Sequence, residues 1–157
     1  MNINFWLNGV NRHAETQPDT LLIDFLREQG CFSVKRGCET ANCGLCTVLM
    51  DGRPVLSCST LAARIEGKKI VTLEGMQREA QEFGSFLANE GAEQCGFCNP
   101  GFIMNVFAML SEIKEPTEEQ IKEYLAGNLC RCSGYEGQLR AMKKYLAWKK
   151  EKQEVGA

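Results

Sequence analysis

Eight of the nine cysteines in this chain fall into two tight groups, and any fold it adopts has to draw each group together. The first reads Gly37-Cys38-Glu39-Thr40-Ala41-Asn42-Cys43-Gly44-Leu45-Cys46, with Cys58 after a gap. The second is Cys95-Gly96-Phe97-Cys98 and, much further along, Cys130-Arg131-Cys132. Cys31 is left over. It reads as a small buried apolar side chain at a helix end.

The first group has the spacing C-x4-C-x2-C plus a distant fourth cysteine, the plant-type arrangement for a [2Fe–2S] cluster. A compact loop can wrap one side of such a cluster with three thiolates while a neighbouring element supplies the fourth. Gly37 and Gly44 stand where the backbone must bend and come close to inorganic sulfur, which glycine does without steric cost. Amides of the loop can then point at the sulfurs and tune the potential. A structural zinc site would also use four cysteines, but its ligands come in close pairs, not as a triplet plus one. Disulfides need an oxidising compartment. Met1-Asn2-Ile3-Asn4 shows no secretory pattern, and the longest apolar run, Phe102 to Leu110, is broken by Asn105 and too short to span a bilayer. A cytoplasmic protein that binds metal through thiolates is therefore expected. A net charge of −2 argues for neither nucleic acid nor a membrane as partner.

The rest of the chain must bring the ligands together. Residues 2–7 alternate polar and apolar and end at Asn8-Gly9, a hairpin signal, so Val10–Glu15 is the returning strand. The only histidine, His13, lies on it and is expected to face solvent. Pro18, Asp19 and Thr20 open a helix with Leu21, Leu22, Phe25 and Leu26 on one face and Gly30 at its end. Thr47–Met50 and Arg53–Ser57 form a second hairpin around Asp51-Gly52, which carries Cys58 back beside the first three cysteines. A short helix over Ser59–Arg64 and a strand over Lys69–Leu73 complete a small α+β unit ending near Gly75.

Beyond Met76 the strand-like alternation stops. Helices are expected over 77–90, from Gly101 to Ser111 behind an Asn99 cap with Pro100 at the first position, from Thr117 to Ala126, and from about Gly137 to Lys150. Thr117 with Gln120 makes a capping box. Met104 and Met109 read as core filler. The two helices between Cys98 and Cys130 form an antiparallel pair that returns the chain to its start, so C-x2-C and C-x-C can meet at one end of the helices. Alone, Cys95-Gly96-Phe97-Cys98 could be a thioredoxin-like redox pair, but that motif belongs in a βαβ setting. Arg131, between two ligands, either offsets cluster charge or is an ordinary exposed arginine.

Taken together, Gly37-Cys38…Cys43-Gly44-Leu45-Cys46-Thr47-Val48, Cys58, Gln94-Cys95-Gly96-Phe97-Cys98-Asn99-Pro100-Gly101 and Gly127-Asn128-Leu129-Cys130-Arg131-Cys132-Ser133-Gly134-Tyr135 resemble the small iron–sulfur subunit of the molybdenum hydroxylases, the xanthine dehydrogenase and aldehyde oxidoreductase family. The resemblance spans residues 3 to 146. It implies an N-terminal β-grasp ferredoxin domain over 1–75 and a C-terminal four-helix bundle over 76–157, each with one [2Fe–2S] cluster. The ligand sets would be Cys38, Cys43, Cys46, Cys58 and Cys95, Cys98, Cys130, Cys132. The second cluster would lie next to the molybdenum cofactor, with Gln94 and Cys132 contacting the pterin, and the first nearer the flavin. Such a chain does no substrate chemistry. It passes electrons from molybdenum to FAD within a hetero-oligomer with a large molybdopterin-binding subunit and an FAD-binding subunit, acting on a purine or another N-heterocycle. The absence of G-x-G-x-x-G fits a flavin bound elsewhere. Ala41 and Asn99 depart from the family pattern, which has glycine and threonine or serine there, and Ser133 replaces threonine. A free-standing two-cluster carrier and a zinc-stabilised interaction module are the other readings of the same residues.

Overall fold

In strand β1 (Asn2–Leu7), Ile3, Phe5 and Leu7 are buried and Asn2, Asn4 and Trp6 are exposed, as the period-two pattern demands. Asn8 and Gly9, both at positive φ, turn the chain into β2 (Val10–Glu15), which pairs antiparallel along its whole length. His13 is exposed on β2 with Nδ1 at 2.7 Å from Asn4 Oδ1. The computed structural model describes residues 1–155, so the last two residues of the expected C-terminal domain lie outside it.

Strands β3 (Thr47–Met50), β4 (Arg53–Leu56) and β5 (Lys69–Val71) complete a five-stranded mixed sheet of order β2-β1-β5-β3-β4, in which β1 and β5 run parallel. Helix α1 (Leu22–Glu28) packs on it through Leu22, Ile23, Phe25 and Leu26, with the Phe25 ring edge-on to Phe5 at 5.4 Å. The helix starts later than its turn residues suggest. Leu21 is held extended by a bridge to Leu61, and Leu22 N–H donates to Thr60 O at 2.7 Å, so Pro18–Thr20 remain a turn. The expected helix over Ser59–Arg64 is two short 3-10 turns, Ser57–Ser59 and Ala62–Ile65, and β5 ends at Val71 instead of Leu73.

Four helices follow: α2 (Gln77–Asn89), α3 (Asn99–Glu112), α4 (Glu118–Leu125) and α5 (Glu136–Val155). The α4 capping box forms with both bonds, Gln120 N–H to Thr117 Oγ1 at 3.3 Å and Thr117 N–H to Gln120 Oε1 at 2.9 Å. The α3 cap does not. Cys98 occupies the cap position without a side-chain bond, and Asn99 lies inside the first turn with its amide donating to Glu93 at 2.5 Å. The α3 cap is thus spent on placing a cysteine. Phe83, Phe102, Val106, Met109, Met142 and Tyr145 fill the core among these helices, distinct from the core under the sheet. A third cluster joins the two: Leu49 of β3 meets Met104 and Ala108 of α3. Each fully buried side chain of this size contributes roughly 1.5–3 kcal/mol. Among the described residues, no helix is long and apolar enough to cross a membrane.

Candidate metal centres

The first cysteine loop is irregular because it is built around close approaches and left-handed residues. A side chain at Gly37 would meet Leu45 Cδ2 at 2.6 Å and Cys43 Sγ at 3.3 Å, so only glycine lets the two sides of the loop close. Gly44 has φ +74° and Ala41 φ +53°. A non-glycine residue pays for that conformation, so the alanine is a strained choice here. Arg36 ties the loop to α1 through Asp24 at 2.6 Å. Ser57 holds its far end, donating from its hydroxyl to Cys46 O at 2.8 Å. Cys58 therefore projects from the 3-10 turn that follows β4, not from the strand itself.

The sulfurs come in pairs. Cys132 Sγ lies 3.7 Å from Cys95 Sγ, and Cys43 neighbours Cys38, Cys58 neighbours Cys46 and Cys98 neighbours Cys130 closely enough for the one thiol to shift the other's ionisation. Two thiolates on each of two irons is the demand of a [2Fe–2S] centre, and the thiols of each set neighbour one another in two such pairs. The donor set fits the cluster.

Within each group one thiol is primed to ionise. Amides of Asn42, Thr40 and Cys43 donate to Cys38 and bring its pKa down to about 6, with Asn42 N at 3.4 Å from the sulfur. In the second group burial would raise Cys130, but the hydroxyl and amide of Ser133 and the Cys132 amide donate to its sulfur and leave its pKa lowered. The partners go the other way. Burial, then the neighbouring sulfur, pushes Cys58 and Cys98 up to about 12. Burial raises Cys43, and the contact with Cys95 raises Cys132. Loading a metal must therefore displace several protons.

Both groups open on one cleft of about 480 Å³, lined by Cys38 and Cys43 on one side and by Cys95, Cys98, Cys130 and Cys132 on the other. Arg131 also lines it and is exposed. Gln94 is exposed beside Cys132 and donates from Nε2 to its carbonyl at 3.2 Å. Cys31 is buried in the sheet core, in the cluster that also holds Cys46 and packs against Cys58.

Sequence reasoning quoted Gly44, Gly101, Asn128 and Leu129 among the motif residues but gave them no part in holding the two loops against each other. Asn128 Nδ2 donates to Gly44 O at 3.3 Å while its Oδ1 accepts from Asn105 at 2.6 Å. Leu129 N–H donates to Cys43 O at 2.9 Å. Gly101 packs its bare Cα on the same loop, where a Cβ would meet Leu45 Cα at 2.8 Å. The Tyr135 hydroxyl accepts from the Cys130 amide at 3.1 Å. The one signal available was Asn105, a polar residue inside an otherwise apolar run.

Comparison with known proteins agrees with this geometry. Residues 7–81 match the family described as a 2Fe-2S iron-sulfur cluster binding domain, and residues 72–143 the [2Fe-2S] binding domain family. The chain is 43% identical over 136 residues to the nicotinate dehydrogenase small FeS subunit of Eubacterium barkeri, covering 85% of this chain and 87% of that one. It is 48% identical over 134 residues to the xanthine dehydrogenase iron-sulfur-binding subunit of Escherichia coli O157:H7, covering 83% and 84%. Among solved structures, a chain of quinoline 2-oxidoreductase from Pseudomonas putida 86 superposes with a TM-score of 0.88 at 37% identity, over 97% of this chain and 96% of that one.

Proposed function

The chain belongs to the small [2Fe–2S] iron–sulfur subunits of the molybdenum hydroxylases, the xanthine dehydrogenase and aldehyde oxidoreductase family, and from that premise we propose that it is the electron-transfer subunit of a complex acting on an N-heterocycle. Cys38, Cys43, Cys46 and Cys58 would hold one cluster and Cys95, Cys98, Cys130 and Cys132 the other. Bound there, the clusters supply one-electron chemistry between a molybdenum cofactor and an FAD carried by partner chains. The chain's own residues bring Cys38 and Cys43 of the first set and all four cysteines of the second to one cleft, aim amide and hydroxyl donors at Cys38 and Cys130, and bury Cys43 and Cys46 from water. Gln94 and Cys132, bonded to each other on the exposed side of the second set, would meet the pterin of the large subunit.

The observation that carries this reading is the pairing of eight sulfurs into two sets, six of whose cysteines line one cleft, within a chain that matches two [2Fe–2S] domain families. The separate cores under the sheet and among the helices support domains at 1–75 and 76–157, a β-grasp ferredoxin unit followed by a four-helix bundle. The N-heterocycle rests on the relatives, named for nicotinate, xanthine and quinoline. Free thiols in quantity fit a reducing, cytoplasmic setting.

The test is EPR of the dithionite-reduced protein, with iron and zinc measured on the same sample. Two distinct signals and about four irons per chain are expected for two such centres. Zinc with no signal would overturn the reading.

A further inference from the structure

Tyr135 stands in a backbone conformation that its side chain disfavours. It has φ +70° and follows Gly134 at φ +64°. Consecutive left-handed residues are dominated by glycine, asparagine and aspartate, and a bulky side chain there is strained. Packing does not explain the choice, because the residue is 47% exposed. The start of α5 does not need a tyrosine either. Tyr135 serves it through a carbonyl, which accepts from Leu139 N–H at 3.0 Å, and every residue has one.

The conformation folds Tyr135 back on the second cysteine group. Its hydroxyl accepts from the Cys130 amide at 3.1 Å. Its own N–H donates to the Ser133 hydroxyl oxygen at 3.2 Å. The Ser133 amide in turn donates to Cys130 Sγ at 3.4 Å. Three hydrogen bonds thus close the segment from Cys130 to Tyr135 on itself. The tyrosine holds the backbone of a sulfur donor with one group, and with another it holds the residue that donates to that same sulfur. Strain of this kind collects at functional sites, where the surrounding bonds maintain it.

We propose that Tyr135 is a positioning residue of the second centre, holding Cys130 and Ser133 so that the Ser133 amide stays aimed at the Cys130 sulfur. The inference rests on the reading that Cys95, Cys98, Cys130 and Cys132 hold a [2Fe–2S] cluster. Reduction adds negative charge to the ligating sulfurs, so a donor fixed on one of them favours the reduced form. Tyr135 therefore makes this centre easier to reduce, and acts on it through Ser133.

The test is redox titration of the full-length protein as purified, followed by EPR with each signal read separately, and with the melting point of each variant measured alongside. Tyr135→Phe removes only the hydroxyl. It should make reduction of the second centre about fivefold less favourable, the effect of one lost hydrogen bond, and leave the first signal unmoved. Tyr135→Gly also removes the hydroxyl but accepts the left-handed backbone without strain, and it should shift the same signal in the same direction. It supplies the measurement where Tyr135→Phe fails to load its second centre. A merely structural tyrosine lowers the melting point and leaves both potentials alone. Combining Tyr135→Phe with Ser133→Ala should shift the second potential by less than the two single changes added, because both break one loop. Full additivity, or a second potential unchanged in both Tyr135 variants, overturns the role and leaves the cluster reading standing. A wild-type protein without a second EPR signal removes the cluster reading itself, and the role falls with it.

Discussion

The backbone amide of Leu129 donates to the carbonyl of Cys43 at 2.9 Å, so the residue just before one sulfur donor is bonded to a residue that carries another. Asn128 doubles the link by donating to Gly44 O, and Gly101 closes it from the side of α3. The two cysteine groups are clamped through backbone, not through long side chains that could swing.

Asn128→Ala should loosen the clamp. It removes a buried donor and acceptor and leaves the Asn105 amide only its long bond to Tyr124 O at 3.4 Å, which costs about 1–3 kcal/mol and is read as a lower midpoint in denaturant. Gly101→Ala should cost a similar amount, about 1–3 kcal/mol, by pushing a methyl into the Gly44–Leu45 backbone. Midpoints equal to wild type in both variants would mean the clamp carries no stability.

Single cysteine substitutions should separate the two sets. Cys58→Ser is expected to remove one EPR signal and about half the iron, and Cys132→Ser the other signal. Cys31→Ser, in the sheet core, should leave both signals and the iron content unchanged. Loss of a signal on changing Cys31 would contradict the assignment.

The apo chain should show a pH signature of its thiols. Cys38 has its folded pKa lowered from 9.0 to about 6, so its contribution to stability is complete above pH 9 and is lost as pH falls through 6. Cys58 and Cys98 are raised from 9.0 to about 12, so theirs is complete below pH 9 and is lost as pH rises toward 12. From these groups the apo fold gains toward pH 9 from both sides. Alkylation with mass mapping is the direct check: Cys38 should react half-maximally near pH 6, while Cys58 and Cys98 stay protected past pH 9. Uniform reactivity would refute the pattern.

Ser133→Ala should make the potential of the second centre more negative. The hydroxyl of Ser133 donates to Cys130, and a donor to a ligating sulfur favours the reduced form. A bond worth about 1 kcal/mol corresponds to about 40 mV for one electron. Redox titration followed by EPR should show that shift in one signal only. Equal shifts in both signals would point to a general change in the fold.

The legible parts of this chain were the local ones. The Asn8-Gly9 turn, the alternation in β1 and the Thr117–Gln120 box each depend on residues a few positions apart, and the structure reproduces them. Predictions slipped where a distant partner overrode a local preference. Leu21 is kept out of α1 by Leu61, and Asn99, whose amide is bonded to Glu93, left the α3 cap to Cys98. The clamp was invisible because Gly44 and Asn128 are 84 residues apart, and nothing near either of them announces the other.

The clamp also sets an order of manufacture. The first thiolate set is complete within residues 38–58, but the second waits for Cys132, and Asn128 and Leu129 come just ahead of it along the chain. Those same residues fold down over Cys43 and Gly44, which end buried. Iron and sulfide therefore meet the earlier set on a more open loop before the later part of the chain settles than after it. Pulse labelling with iron during synthesis is expected to find the first set filled in chains still too short to contain the second, and a first set filled only in finished chains would contradict this order.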